Sequence, residues 1–204
     1  KNKNGKSILI IIALEKENWE IVKYLVEKGA DNINDALKVA LKKENWEMVK
    51  YFVEHGANEI NDALLTAALN GNLEIVKYLV EAGADVNTKY YYRNRNITKT
   101  ALMLASEKEN WDMVKYLIDK GADVNTEFNY ENRGYGKSKT ALMLALEKEN
   151  WEIVKFLIEK GASNIDYALK IASEKENWEI VKYLIEKGAS NIDYALSIAS
   201  KKEY

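Results

Sequence analysis

The sequence predicts an all-α solenoid of stacked helix pairs, with two β-hairpin extensions near its centre. Three observations predict it. A motif of the form Trp-Glu/Asp-x-Val-Lys-Tyr/Phe recurs at Trp19, Trp46, Trp111, Trp151 and Trp178, with Leu73 in the same place of a further copy. Gly29, Gly56, Gly83, Gly121, Gly161 and Gly188 follow the copies at the same spacings of 27, 27, 38, 40 and 27 residues. An Ala-Leu-rich segment precedes each copy. Two landmarks in one register mark an internal repeat, and a repeat of this length implies units that cannot bury their apolar faces alone and must stack on neighbours.

Each unit resolves into two helices in order. The first carries Ala-Leu-x-x-Ala, as in Ala36-Leu37-Lys38-Val39-Ala40, and is entered from a residue suited to capping: Thr100, Thr140, Asp35 or Asp62. A polar turn, usually Lys-Glu-Asn, leads to the second. In that helix Ile180, Val181, Leu184 and Ile185 fall three and four apart and form an apolar stripe. Gly188 then permits the left-handed conformation that ends such helices. The expected repeats are 8–34, 35–61, 62–99, 100–139, 140–166 and 167–193, with a terminal half-repeat at 194–204, all in one domain spanning 1–204, the helix pairs packed roughly 8–10 Å apart.

The run Thr100-Ala101-Leu102-Met103-Leu104-Ala105, then Asn110-Trp111-Asp112-Met113-Val114-Lys115-Tyr116-Leu117-Ile118, then Lys120-Gly121-Ala122-Asp123-Val124-Asn125 resembles an ankyrin repeat. Ala67-Ala68-Leu69-Asn70-Gly71-Asn72-Leu73-Glu74-Ile75-Val76 is closer still to that family's pattern. The resemblance implies an ankyrin-type solenoid and a binding role without naming a partner, because one scaffold hosts many functions. It departs from the family in three respects. Thr-Pro-Leu-His becomes Thr-Ala-Leu-Met at Thr100 and Thr140, so the hydrogen bonds usually made by the His are absent or replaced. Glu-Asn-Trp stands five times where the family has Gly-His/Asn-Leu. Four linkages, such as Gly29 to Asp35, are too short for the family's finger-like hairpin.

A net charge of −2 with 30% charged residues describes a well-solvated surface rather than a polyelectrolyte. The absence of cysteine excludes disulfides and thiolate metal sites. Ile8 to Leu14 is a seven-residue apolar run, too short to span a bilayer and followed by Glu15-Lys16-Glu17-Asn18 with no cleavage site, so it reads as the first helix of the first repeat. No membrane association is expected, and a cytoplasmic location is favoured.

The residues that break the pattern are the informative ones. Two long connections, 88–99 and 126–139, lie in consecutive linkages and read as β-hairpins, with turn formers Asn132, Gly134 and Gly136 between aromatic flanks. Seven of the 30 basic residues fall in them, yet all three arginines of the chain, Arg93, Arg95 and Arg133, are among those seven. The first connection carries four basic and no acidic residues, the second three and two, leaving the remainder of the chain at −7. Arg is planar and bidentate, and Arg and Tyr are enriched at binding hot spots. The candidate partner-binding residues are therefore Tyr90, Tyr91, Tyr92, Arg93, Arg95, Phe128, Tyr130, Arg133, Tyr135 and Lys137. In an extended strand Tyr91, Arg93 and Arg95 share one face and Tyr90 and Tyr92 the other. Aromatics that merely brace paired hairpins would give the same composition.

Other features point to structure. Five tryptophans at one repeat position indicate packing, and the recurring Glu-Lys pairs, such as Glu147-Lys148, indicate a solvated face. His55, the only histidine, stands where a helix ends and has no second His or Cys with which to bind metal. No nucleophile-base pair, phosphate loop or calcium loop is present, so neither an enzyme nor a cofactor is expected. The expected function is protein–protein interaction with an acidic partner through the two hairpins and the concave first-helix face. An anionic small ligand or nucleic acid on the same basic aromatic patch is the alternative. A spacer role in a longer array is a third, since Ile11 is apolar where an exposed polar residue is expected. Oligomeric state is open.

Overall fold

In each repeat the second helix begins at an asparagine whose side chain accepts a hydrogen bond from the backbone N–H three residues on. Asn18 does so from Ile21 at 3.2 Å, and Asn45, Asn72, Asn110, Asn150 and Asn177 repeat it. These caps satisfy donors that a helix start leaves open. The computed structural model describes residues 3–92, 97–129 and 138–200. Among the described residues there are thirteen helices and four short strands, and the chain divides into two compact units, Lys1–Thr88 and Lys89–Tyr204.

The first unit holds three helix pairs: α1 (Lys3–Glu15) with α2 (Trp19–Glu27), α3 (Ile33–Lys42) with α4 (Trp46–Glu54), and α5 (Ile60–Asn70) with α6 (Leu73–Glu81). First helices pack on first helices, α1 on α3 and α3 on α5. The stripes meet in a core where Leu37, Leu64, Val49, Val76 and Phe52 are fully buried. Truncating a side chain such as Phe52 to Ala would cost about 3–5 kcal/mol in lost transfer and residual cavity.

The second unit contains β1 (Tyr90–Tyr92) and β2 (Ile97–Lys99), then α7 (Ala101–Glu107) and α8 (Trp111–Asp119). There follow β3 (Phe128–Asn129) and β4 (Ser138–Lys139), α9 (Ala141–Glu147) and α10 (Trp151–Glu159), α11 (Ile165–Glu174) and α12 (Trp178–Glu186), and α13 (Ile192–Ser200). Helices α7, α9, α11 and α13 pack in sequence. Trp111 lies half-buried against Met103 of its own repeat and Leu144 of the next, so the tryptophan position seals the joint between neighbours. Trp178, followed by α13 alone among the described helices, is 44% exposed.

One expectation is corrected and another extended. Asp35 and Asp62 do not cap their helices; they lie in the first turn, and the caps are Asn32 and Glu59, neither with a side-chain capping bond. The chain turns helical earlier because Asn32 and Glu59 already accept the N–H of Ala36 and Ala63. The Glu-Lys face is also more than solvated. Lys148 pairs with Glu109 at 2.5 Å and Lys175 pairs with Glu149, each in the repeat before. Thr100 and Thr140 do cap, accepting from Met103 and Met143.

Neighbouring repeats are tied by three further devices. A second-helix lysine meets the glutamate after the next anchor position: Lys23 with Glu47 at 3.0 Å, Lys115 with Glu152 at 2.5 Å, Lys155 with Glu179 at 2.7 Å. A tyrosine hydroxyl donates back to the same lysine's carbonyl or its counterpart: Tyr51 to Lys23, Tyr78 to Lys50, Tyr183 to Lys155, at 3.2–3.3 Å. Finally, Asn34, Asn61, Asn125 and Asp166 accept backbone N–H groups from the next linkage, at Asn58, Asp85, Ser163 and Ser190. These bridges between neighbouring linkages are made by Asn and Asp side chains.

The corner between the helices shows what replaces the family glycine. Gly71 has φ +77°, and Glu17, Glu44, Glu109, Glu149 and Glu176 occupy the equivalent place at +52° to +57°. A left-handed L-residue costs roughly 1–2 kcal/mol relative to its ordinary conformation. At four of these corners the carboxylate has a partner in the next repeat: Lys43, Asn70, Lys148 and Lys175.

Candidate functional site

The two long connections are built alike at their bases. Each leaves its helix pair through Gly-Ala-Asp-Val-Asn-Thr, at 83–88 and 121–126. Asp85 and Asp123 accept the N–H of Asn87 and Asn125, and their carbonyls accept the N–H of Thr88 and Thr126. Val86 and Val124 are buried beneath. An aspartate that holds the backbone two residues on is a turn device, and here it turns the chain out of the helical layer twice.

Each connection returns through a threonine cap. The Thr100 hydroxyl accepts from the Met103 N–H at 3.4 Å, and the Thr100 N–H donates to Met103 Sδ at 3.1 Å, so a thioether closes the reciprocal box. Lys99, just before it, sets its ammonium against both oxygens of Glu107 at 2.6 and 2.8 Å, with both side chains about one-fifth exposed. Lys139 meets Glu147 in the same way at 2.6 Å. Asn125 also donates to the Gly161 carbonyl at 3.1 Å, tying the second connection to the linkage after α10.

Between these bases the backbone forms short antiparallel pairs. Tyr90 stands opposite Lys99, Tyr91 opposite Thr98 and Tyr92 opposite Ile97; Phe128 stands opposite Lys139 and Asn129 opposite Ser138. β2 runs beside β3, so both connections emerge from adjacent strand pairs of one unit. Tyr90, Tyr91 and Tyr92 lie on β1 and Phe128 on β3, and β2 adjoins both strands. Arg93, Arg95, Tyr130, Arg133, Tyr135 and Lys137 lie outside the described residues.

The electrostatics elsewhere are those of a scaffold. Burial, reinforced by Glu159, pushes the Tyr183 hydroxyl up to about 12, and burial also raises Tyr51 and Tyr78. Backbone N–H groups of Ser190 and Asn191 hold Asp166 below the usual carboxylate range. His55 stacks on Tyr51 at 3.9 Å between ring centroids and donates from Nδ1 to the Tyr51 carbonyl at 2.8 Å, a helix-end contact. Among the described residues no group of three or more His, Asp or Glu could hold a metal ion, and no helix is long and apolar enough to cross a membrane.

The family model described as ankyrin repeats (3 copies) matches residues 1–63, 58–128 and 126–195, nearly the whole chain. The chain belongs to the ankyrin repeat family. No curated protein sequence matches it. Ankyrin repeats are in general protein–protein interaction modules and typically non-catalytic scaffolds. In this ankyrin chain the asparagine caps and the left-handed glutamates were not anticipated from sequence. The caps had a signal, since Asn stands before the anchor residue in all six repeats. The glutamate corners had one only by alignment with Gly71.

Proposed function

We propose that this ankyrin protein binds another protein through its two long connections, extended as hairpins, together with the adjacent first-helix face, and that it catalyses no reaction. The observation that carries the reading is the adjacency of β2 and β3. Two loops that emerge side by side can present one joint surface, and the chain confines its three arginines to them. The complementary partner surface is acidic, with Tyr90, Tyr91, Tyr92, Phe128, Tyr130 and Tyr135 supplying contact area and Arg93, Arg95, Arg133 and Lys137 supplying direction. The Asp turns, threonine caps and Lys-Glu anchors support this reading, because a recognition loop binds more tightly when its base is held.

The test is a comparative capture from source lysate. One bait is the chain itself; in the other both long connections are replaced by the Ser-Asn-Ile-Asp-Tyr linkage used after Ala162. Capture of a protein by the first bait alone supports the reading and identifies the partner. Equal capture by both moves the site to the helical faces. Capture of nucleic acid, lost steeply with added salt, replaces the protein partner with an anionic ligand.

A further inference from the structure

The second and third repeats meet at a corner chemically unlike the others. At the turn between helices the chain carries Lys-Glu at Lys16-Glu17, Lys43-Glu44, Lys108-Glu109, Lys148-Glu149 and Lys175-Glu176, but Asn70-Gly71 in the third repeat. Lys43, Lys148 and Lys175 each form an ion pair with the corner glutamate of the repeat before. Asn70 meets Glu44 in the same register, its Nδ2 donating to Oε1 at 3.3 Å. Of these four contacts, this one is made by a neutral amide.

The same two departures assemble the parts of an intramolecular reaction. Asparagine is a thermolabile residue, and the glycine after it has no Cβ to crowd a ring closing on its nitrogen. Asn70 is exposed and is the last residue of α5, and Gly71 follows in the left-handed region at φ +77°. The Gly71 N–H donates to the Ala68 carbonyl at 3.1 Å, a bond of the last turn. Bonds at exposed helix ends open locally at little cost, which frees the nitrogen to turn toward the side chain.

We propose that Asn70 is a site of spontaneous deamidation that turns the attraction at this joint into repulsion. The Gly71 backbone nitrogen attacks Asn70 Cγ. The new N–Cγ bond closes a five-membered imide, the Cγ–Nδ2 bond breaks, and Nδ2 takes up the proton lost from the Gly71 nitrogen and leaves as ammonia. Water then opens the imide at either carbonyl, giving aspartate or isoaspartate. Either product removes the donor that Glu44 accepts and sets a carboxylate against it. Isoaspartate also adds a carbon to the main chain between α5 and the glycine that ends it. Lysine at the other corners has no amide to lose, so the third repeat alone carries this reaction at its corner.

The test incubates the full chain in mildly alkaline buffer until a free peptide of residues 65–76 has converted. Peptide mapping reads amide-to-acid conversion at Asn70 separately from Asn4-Gly5, the other such pair. The expected product at position 70 is isoaspartate in excess of aspartate, the mark of a ring intermediate, and the aged chain unfolds at lower urea. Asn70→Asp, which sets the like charges in place at once, lowers the urea midpoint in dilute salt and lowers it less in concentrated salt. Asn70→Lys, which copies the other corners, stays unmodified there and keeps its midpoint through the same incubation. The proposal is overturned if the peptide converts and Asn70 of the chain does not, or if aspartate is the sole product. It is equally overturned if Asn70→Asp is as stable as the parent, or if Asn70→Lys loses as much on ageing.

Discussion

Lys43, at the end of α3, reaches back to Glu17 at 2.5 Å, and Glu17 holds a left-handed backbone to meet it. The pairing joins a strained corner to a cross-repeat contact. Glutamate has no conformational reason to occupy that corner, and Gly71 shows what an unstrained one looks like. The gain is modest in turn, because pairs this exposed contribute at most about 1 kcal/mol.

The balance can be measured at Glu149. Glu149→Ala loses the contact with Lys175 and keeps the strain; Glu149→Gly loses the contact and relieves it. Glycine should therefore be more stable than alanine by about 1 kcal/mol, the reverse of the usual order. Urea denaturation of the two variants gives the difference directly, and an alanine variant as stable as the glycine variant would show that the corner is unstrained.

Met103 makes a second, independent prediction. Its sulfur accepts the N–H of a residue that is 3% exposed. Met103→Leu fills similar volume but leaves that buried donor unsatisfied, at a cost of about 1–3 kcal/mol. Met103→His, with an acceptor nitrogen in reach, should recover most of it. Equal melting temperatures for the Leu and Met forms would remove the sulfur from the cap.

Two groups give the chain opposite pH limbs. Asp166 is held below the ordinary carboxylate range, so its contribution is present above that range and fades as pH falls through the lowered value. Asn125 makes the same bridge with an amide, so Asp166→Asn should keep neutral stability and flatten the acid limb. Tyr183, raised to about 12, contributes fully below the ordinary tyrosine value of about 10 and loses that contribution as pH climbs toward 12. Tyr183→Phe should flatten the alkaline limb. Thermal melts across pH check both, and unchanged limbs would mean that neither group matters to folding.

The alanine that opens each first-helix motif predicts the behaviour of the joints. Ala36→Leu, at a fully buried position, should destabilise by about 1–3 kcal/mol through overpacking. An Ala36→Leu chain with an unchanged denaturation midpoint would show that the internal joints accommodate the larger residue.

Much of the fold was legible because it is periodic. The anchors, the terminal glycines and the Ile180, Val181, Leu184 stripe each repeat, and repetition turns weak local signals into a strong one. The misreadings fall where a local rule competed with the joint between repeats. Asp35 is a good cap residue by type, yet helix α3 starts earlier, at Ile33. Glu17 is not a left-handed residue by type, yet the equivalence with Gly71 places it there. Lys148 is solvated as expected, but its pairing with Glu109 was not legible because that partner is remote in sequence. At the candidate site the two long connections and their threonine caps were readable from residue type, whereas the aspartate turns at Asp85 and Asp123 were not anticipated. The adjacency of β2 and β3 was not, since it depends on how α7 and α9 stack.

The bonds between repeats span 24 to 28 residues where linkages are short and 36 to 41 where the second connection intervenes. Ring-closure entropy grows only with the logarithm of that span, so the longer separation raises the barrier to assembly by a few tenths of a kcal/mol, about 0.3–0.4. Repeats of this kind stay low in contact order and quick to fold even when a loop is lengthened by a dozen residues. The scaffold is therefore close to indifferent to what its connections say, and their sequence is free to vary without cost to the stack.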